Sequence, residues 1–212
     1  MKLDIARQIG AVFREVKSRD HEGRPARAVI AARTYDTDVA DVWDALTDAE
    51  RIPRWFLPIT GDLRLGGRYQ FAGNAGGEIQ RCEPPRLLAV TWEFGGSVSW
   101  VTIRLTDDPA GGTRLELEHI VPVGEFWDRF GPGAVGVGWD LGIMGLGRHI
   151  ESAATVDRNA AAAWMASDEG KDFIARSSAD WCRASIAAGT DAAAAQAAAE
   201  RTTGFYTGAH KP

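Results

Sequence analysis

Residues capable of chemistry are few in this chain, and most of them stand alone. Gly131-Pro-Gly-Ala-Val-Gly136 reads as GxGxxG ahead of a helix, the spacing of a loop that seats a pyrophosphate on a helix N-terminus. That fingerprint also needs a preceding strand and a βαβ unit. Here an antiparallel meander precedes it and alanine-rich helix follows, so the glycines read better as a connection into a helix. His119 shares strand parity with Leu115 and Leu117. Three roles are open to it: a core histidine bonded to backbone, a polar contact to a ligand, or a general base, which would need a partner within hydrogen-bond reach. Glu93 and Glu118 have the right chemistry, but their strand parity turns them away from the apolar face. His149 either looks into a pocket or caps the end of its helix, where a cation is favoured. His21, His119, His149 and His210 lack metal-ligand spacing, and Ser97 and Ser99 in GGSVSW form no GxSxG elbow. Cys82 and Cys182 make neither a CxxC pair nor a disulfide framework and read as buried or half-buried thiols. No metal and no cofactor is expected.

Aromatic surface is what the chain has in quantity. Trp55, Phe56, Tyr69, Phe71, Trp92, Trp100 and Trp139 are many for one small domain. A packed core accounts for some of them. An apolar cleft with few polar groups is also the usual form of a small-molecule site. Trp100 falls on the wet parity of its strand. The expected ligand-binding set is therefore Trp55, Phe56, Tyr69, Phe71, Trp92, Ile103, Leu117, His119, Trp139, Ile143 and Leu146, with Tyr69 and His119 orienting the polar end of a guest.

The element that must organise this surface runs from Gly136 to Ile150. On a helical wheel Trp139, Ile143, Leu146 and Ile150 share one face. Gly138, Gly142 and Gly145, followed by His149, form a second stripe. Each interior glycine weakens a helix by roughly 1 kcal/mol relative to alanine, so the missing side chains imply close backbone approach or room for a guest. Trp139, Ile143 and Leu146 are expected to face a sheet. The glycines are expected to border a void or a tightly packed neighbour, such as the C-terminal tail.

The other elements follow in chain order. Asp4 to Lys17 spaces Ile5, Ile9, Val12, Phe13 and Val16 as an amphipathic helix, and Ser18 to Pro25 reads as a linker. Ala26 to Tyr35 is a strand. Thr37 or Asp38 caps the helix VADVWDALTD, and Asp48 caps a short turn ending in Trp55-Phe56. Gly61 to Phe71 alternates in two stretches about a turn at Gly66-Gly67. Glu78 to Cys82 and Leu87 to Phe94 are strands, and Ser99 to Thr106 with Thr113 to Val121 form a hairpin with one buried and one wet face. Beyond Glu151 alanine dominates, and helices are expected over Ala153–Ala166, Asp168–Ala188 and Asp191–Tyr206.

The segments VWDALTDAERIPRWF, GDLRLGGRYQF and LLAVTWEF resemble the SRPBCC (START-like, helix-grip) superfamily. Within it they are most similar to the branch related to the heat-shock-protein-90 ATPase activator's C-terminal domain. The resemblance rests on Trp43, Ala45-Leu46-Thr47, Trp55-Phe56, Gly66-Gly67 and Thr91-Trp92-Glu93, and it covers about Arg27 to Ile150. It implies an α+β helix-grip fold, a curved antiparallel sheet wrapped around a long C-terminal helix, with a hydrophobic cavity between them. The chain divides on this reading into an N-terminal amphipathic helix and linker (1–26), the helix-grip domain (27–150) and an alanine-rich helical extension (151–212).

The chain has 212 residues and a formal net charge of −5. An acidic balance without Lys/Arg runs argues against nucleic acid and anionic membrane as partners. The N-terminus has no secretory signal pattern and no apolar run reaches the ~18 residues of a span, so a cytoplasmic location is expected. The leading expectation is a non-catalytic protein that holds a small hydrophobic or amphipathic molecule between sheet and helix. One alternative is a co-chaperone-like interaction module, with a protein partner or a homodimer formed through the terminal helices. Another is a cyclase or hydrolase using His119.

Overall fold

A computed structural model describes residues 3–209. His210 lies outside the described residues. The elements run α1 (Ile5–Gly10), β1 (Phe13–His21), β2 (Arg24–Tyr35), α2 (Val39–Thr47), α3 (Ile52–Trp55), β3 (Ile59–Gly61), β4 (Arg68–Phe71), β5 (Gly76–Glu83), β6 (Leu87–Phe94), β7 (Ser97–Asp107) and β8 (Thr113–Pro122). They continue as α4 (Glu125–Phe130), α5 (Gly133–Ser152), α6 (Arg158–Ala166), α7 (Asp168–Ala187) and α8 (Ala192–Thr207). The strands form one open curved sheet in the order β1-β2-β8-β7-β6-β5-β4-β3. Every pairing from β3 to β8 is antiparallel. This is the α+β helix-grip architecture expected from the sequence.

The strand periodicity is realised residue by residue. In β7 and β8, Val101 pairs with His119, Ile103 with Leu117 and Leu105 with Leu115. Leu105, Leu115, Leu117 and His119 are buried, while Arg104, Glu116 and Glu118 alternate with them on the other face. Side-chain caps open the helices where the sequence supplies them. Asp38 accepts from the Asp41 N–H, Ser167 from Gly170 and Asp191 from Ala194.

The N-terminal helix needs correction. It stops at Gly10, and Phe13–His21 is a strand. The spacing Val12 to Val16 satisfies period two as well as period four, and Val12, just before the strand, and Val16 within it are both buried with Arg14 between them. Phe13, placed on the helical stripe, is 51% exposed. The expected linker is the hairpin that joins β1 to β2. Glu22 and Gly23 take φ of 52° and 76°, the pair of positive values that suits a two-residue turn between twisted strands, and Asp20 accepts from the Gly23 N–H. Leu63 and Leu65 also lie outside strand. There the ladder position is taken by the glycine turn itself: Gly66 donates to Ile79, and Ile79 donates back to Gly67.

Two compact units are built from discontinuous segments. The first takes the chain through Ala31, Val121–Leu141 and the segment from Asp157 onward. In it α7 packs on β1, α1, α6 and α8, with Trp181, Phe173 and Ile174 almost wholly buried. The second takes Ala32–Ile120 and Gly142–Val156. It holds α2, α3, β3 to β7, most of β8 and the second half of α5.

Candidate functional site

In the second unit, α3 and the β3–β4 hairpin bring aromatic rings to the inward face of β6 and β8. Trp55 contacts Phe56 at 5.4 Å, Phe56 meets Phe71 edge-on at 5.0 Å, and Phe71 meets Trp92 at 5.8 Å. Trp92 then meets the His119 ring at 6.2 Å, and Tyr69 joins through Phe71 at 5.4 Å. Tilted and edge-on geometry is what ring quadrupoles prefer. Trp55, Phe56, Phe71, Trp92 and Ile103 are only half-buried, whereas Tyr69, Leu117, His119, Ile143 and Leu146 are buried. Trp139 is half-buried and belongs to the first unit.

Polar groups within this surface are engaged with one another. The Tyr69 hydroxyl donates to the Thr91 carbonyl at 2.7 Å, and burial pushes its phenol well above the ordinary range. Ser99, opposite Trp92 across the β6–β7 ladder, donates to the Trp92 carbonyl at 3.1 Å and sits 2.8 Å from His119 Nε2. With the hydroxyl proton directed to the carbonyl, Nε2 carries its own proton and donates to Ser99 Oγ. Burial drops the His119 pKa to about 3, which keeps the ring neutral. Glu93 and Glu118 point to the other face as their parity requires. Glu93 pairs with Arg68 at 2.6 Å, whose hydrogen bond holds its carboxyl below the usual range, and Glu118 pairs with Arg104 at 3.3 Å.

Most glycines of α5 are points of close approach. A Cβ on Gly145 would stand 2.8 Å from the Trp55 carbonyl, and one on Gly147 would stand 2.9 Å from the Arg33 guanidinium. At Gly142 it would meet only the Phe56 ring at 3.6 Å, an ordinary contact. Tyr35, 3% exposed, donates to the Ile143 carbonyl and fixes the same stretch of helix. In the first unit Gly136 lies against the Trp181 indole, and Gly138 against the Tyr206 hydroxyl. Within the Gly138, Gly142 and Gly145 stripe the expected tight neighbour is present at Gly145 and, from the C-terminal tail, at Gly138, but not at Gly142. The GxGxxG run serves packing too, since Gly133 opens α5 against Thr202.

Sequence reasoning missed two polar clusters. Asp140 is buried in the first unit. Its Oδ2 accepts from Arg14 Nε at 3.0 Å, Ser177 Oγ at 2.5 Å and Trp181 Nε1 at 3.1 Å. Burial raises its pKa against the opposing pull of Arg14. The available signal was an acid on an otherwise apolar and glycine face, GWDLG. In the second unit Arg51 binds Asp41 at 2.6 Å, Asp44 at 2.8 Å and His149 Nε2 at 3.2 Å. His149 is buried and its Nδ1 lies 3.1 Å from the Ala154 carbonyl just past the helix. It stands at the helix end, as one of the two readings had it, but as an acceptor from Arg51 rather than as a capping cation. Among the described residues no cluster of His, Cys, Asp and Glu has metal-binding geometry, and no helix is long and apolar enough to cross a membrane.

A family described as Activator of Hsp90 ATPase homolog 1-like protein matches residues 36–149. The crystal structure of CalU16 from Micromonospora echinospora is 35% identical, with 82% of this chain and 98% of that one covered at a TM-score of 0.65. Its solution NMR structure gives 33% identity, coverage of 84% and 97%, and a TM-score of 0.69. Protein MLL2253 from Mesorhizobium loti, at 24% identity and a TM-score of 0.52, covers 59% of this chain and 97% of its own and shares the fold. No curated protein matches the chain.

Proposed function

The chain belongs to the Activator of Hsp90 ATPase homolog 1-like family, and from that premise we propose that it binds a small hydrophobic or amphipathic molecule without transforming it. The observation that carries this reading is the unbroken series of ring contacts from Trp55 through Phe56, Phe71 and Trp92 to His119, in which the first four rings are only half-buried. Each such side chain carries about 150–250 Å² of surface. Covering the remainder of a few rings at roughly 25 cal/mol per Å² supplies several kcal/mol before the costs of ordering. Ile103, Leu117, Ile143 and Leu146, all of the same unit, back this surface. Tyr69 and His119 position the polar end through the oxygens of Tyr69 and Ser99, since their own protons are directed inward. A catalytic role for His119 has little support: the ring is fully buried, neutral and hydrogen-bonded to Ser99.

Titration with the neutral apolar dye 1-aminoanthracene, read by fluorescence and by native mass spectrometry, tests the proposal. Saturable binding at one site is expected, weakened about tenfold or more by Trp92→Ala or Phe71→Ala. Absence of saturable binding by the dye and by a panel of hydrophobic molecules would overturn it.

A further inference from the structure

The end of α5 carries a second device in the same unit. His149 is 3% exposed. Arg51 Nε stands 3.2 Å from its Nε2. A guanidinium N–H only donates, so Nε2 presents its lone pair and Nδ1 carries the proton, which goes to the Ala154 carbonyl at 3.1 Å. Beyond the ring the chain turns through Ala153 at a φ of 53°, a strained value for a residue with a Cβ. The Val156 N–H then donates to the Arg54 carbonyl at 2.8 Å. Arg54 lies in α3, next to Trp55. One imidazole thus ties residues 153–156, Arg51 and the start of the aromatic surface to the end of α5.

We propose that His149 is a proton-sensitive latch: neutral, it holds the 153–156 segment and α3 against the end of α5, and protonated, it releases them. A proton on Nε2 and the Arg51 hydrogen bond exclude each other, because both use one lone pair. A proton on Nε2 would also set two cations in contact, the imidazolium and the Arg51 guanidinium. Arg51 faces it directly, and the acids in reach, Asp41 and Asp44 on α2, are already paired to that guanidinium. Arg148 and Glu151 on its own helix are exposed. With that hydrogen bond lost and the two cations facing each other, protonation shifts the population toward the open form. The latch stands on its own geometry. Only its consequence, weaker guest binding when α3 loosens, rests on the ligand reading above.

Hydrogen exchange of the wild-type chain at about pH 7.5 and about pH 5.5, corrected for intrinsic rates, tests this in the range where histidines titrate. Protection of the Val156 amide is expected to fall about tenfold or more on acidification. His149→Gln, whose amide oxygen accepts from Arg51 and whose NH₂ donates to Ala154, should keep the protection and lose the pH dependence. Equal wild-type protection at both pH values, or the same fall in His149→Gln, overturns the latch. Imidazole 15N shifts of the wild type provide a variant-free check, and a neutral ring protonated on Nε2 near pH 7.5 also overturns it. Titrating 1-aminoanthracene at both pH values separates the two proposals. A dye that never binds while Val156 protection still falls sinks the ligand reading alone; a dye that binds while protection stays constant sinks the latch alone.

Discussion

The Nε2 proton of His119 goes to Ser99, and Ser99 passes its own to the Trp92 carbonyl. That chain of donors fixes the tautomer without any ligand. It also couples folding to pH. The folded ring has its pKa lowered from 6.5 to about 3, so below about pH 6.5 the unfolded chain binds a proton that the folded chain refuses. Stability from this group is full above that pH and is lost as the pH falls toward 3, by up to roughly 4–5 kcal/mol. Urea unfolding of wild type and His119→Gln at neutral pH and near pH 4 should show the difference between them changing by a few kcal/mol. A difference that stays constant would mean the ring is protonated while folded. Asp140 has the opposite sign: burial raises its pKa, so its contribution grows on acidification. A buried ion pair of this kind is costly to break and weak as net stabilisation, which fits a role in specifying how β1, α5 and α7 meet.

At the scale of elements, α5 shows how one glycine differs from another. Gly136 and Gly142 are both interior helical glycines, and propensity alone treats them alike. Their neighbours differ. A Cβ at Gly136 would sit 2.3 Å from the ring of Trp181, which is completely buried, whereas at Gly142 it would make an ordinary 3.6 Å contact with half-buried Phe56. Gly136→Ala should therefore cost about 1–3 kcal/mol or more from overpacking. Gly142→Ala should be neutral or stabilising by up to about 1 kcal/mol. Chemical denaturation of the two variants checks the contrast, and equal effects would contradict the packing account. The same logic explains the N-terminal segment. Its apolar spacing fits a helix or a strand, and the decision falls to the neighbours: Gly10 ends the helix, and Arg14 is drawn inward by Asp140 and Asp180.

The molecule as a whole is less sequential than its chain. Residues through Ala31, Val121–Leu141 and the segment from Asp157 share one compact unit. The alanine-rich C-terminal helices supply that unit's largest buried side chain, Trp181, and two of the donors to Asp140, Ser177 and Trp181. Deleting Asp157–Pro212 should therefore abolish cooperative unfolding and near-ultraviolet circular dichroism while retaining much of the secondary structure. A deletion that keeps a sharp transition and native aromatic signals would show those helices to be an appendage. By itself, the sequence determined the strands β6 to β8, the capped helices and the helix-grip class, because period-two alternation, Asp and Ser caps and family motifs are local signals. Tertiary structure alone decided that the glycine run is a packing surface, that Arg51 seeks out His149, and that Asp140 is buried against Arg14. Each of those facts depends on residues dozens of positions apart or more, and a hydrogen bond or steric contact between distant segments leaves no periodic trace in either of them.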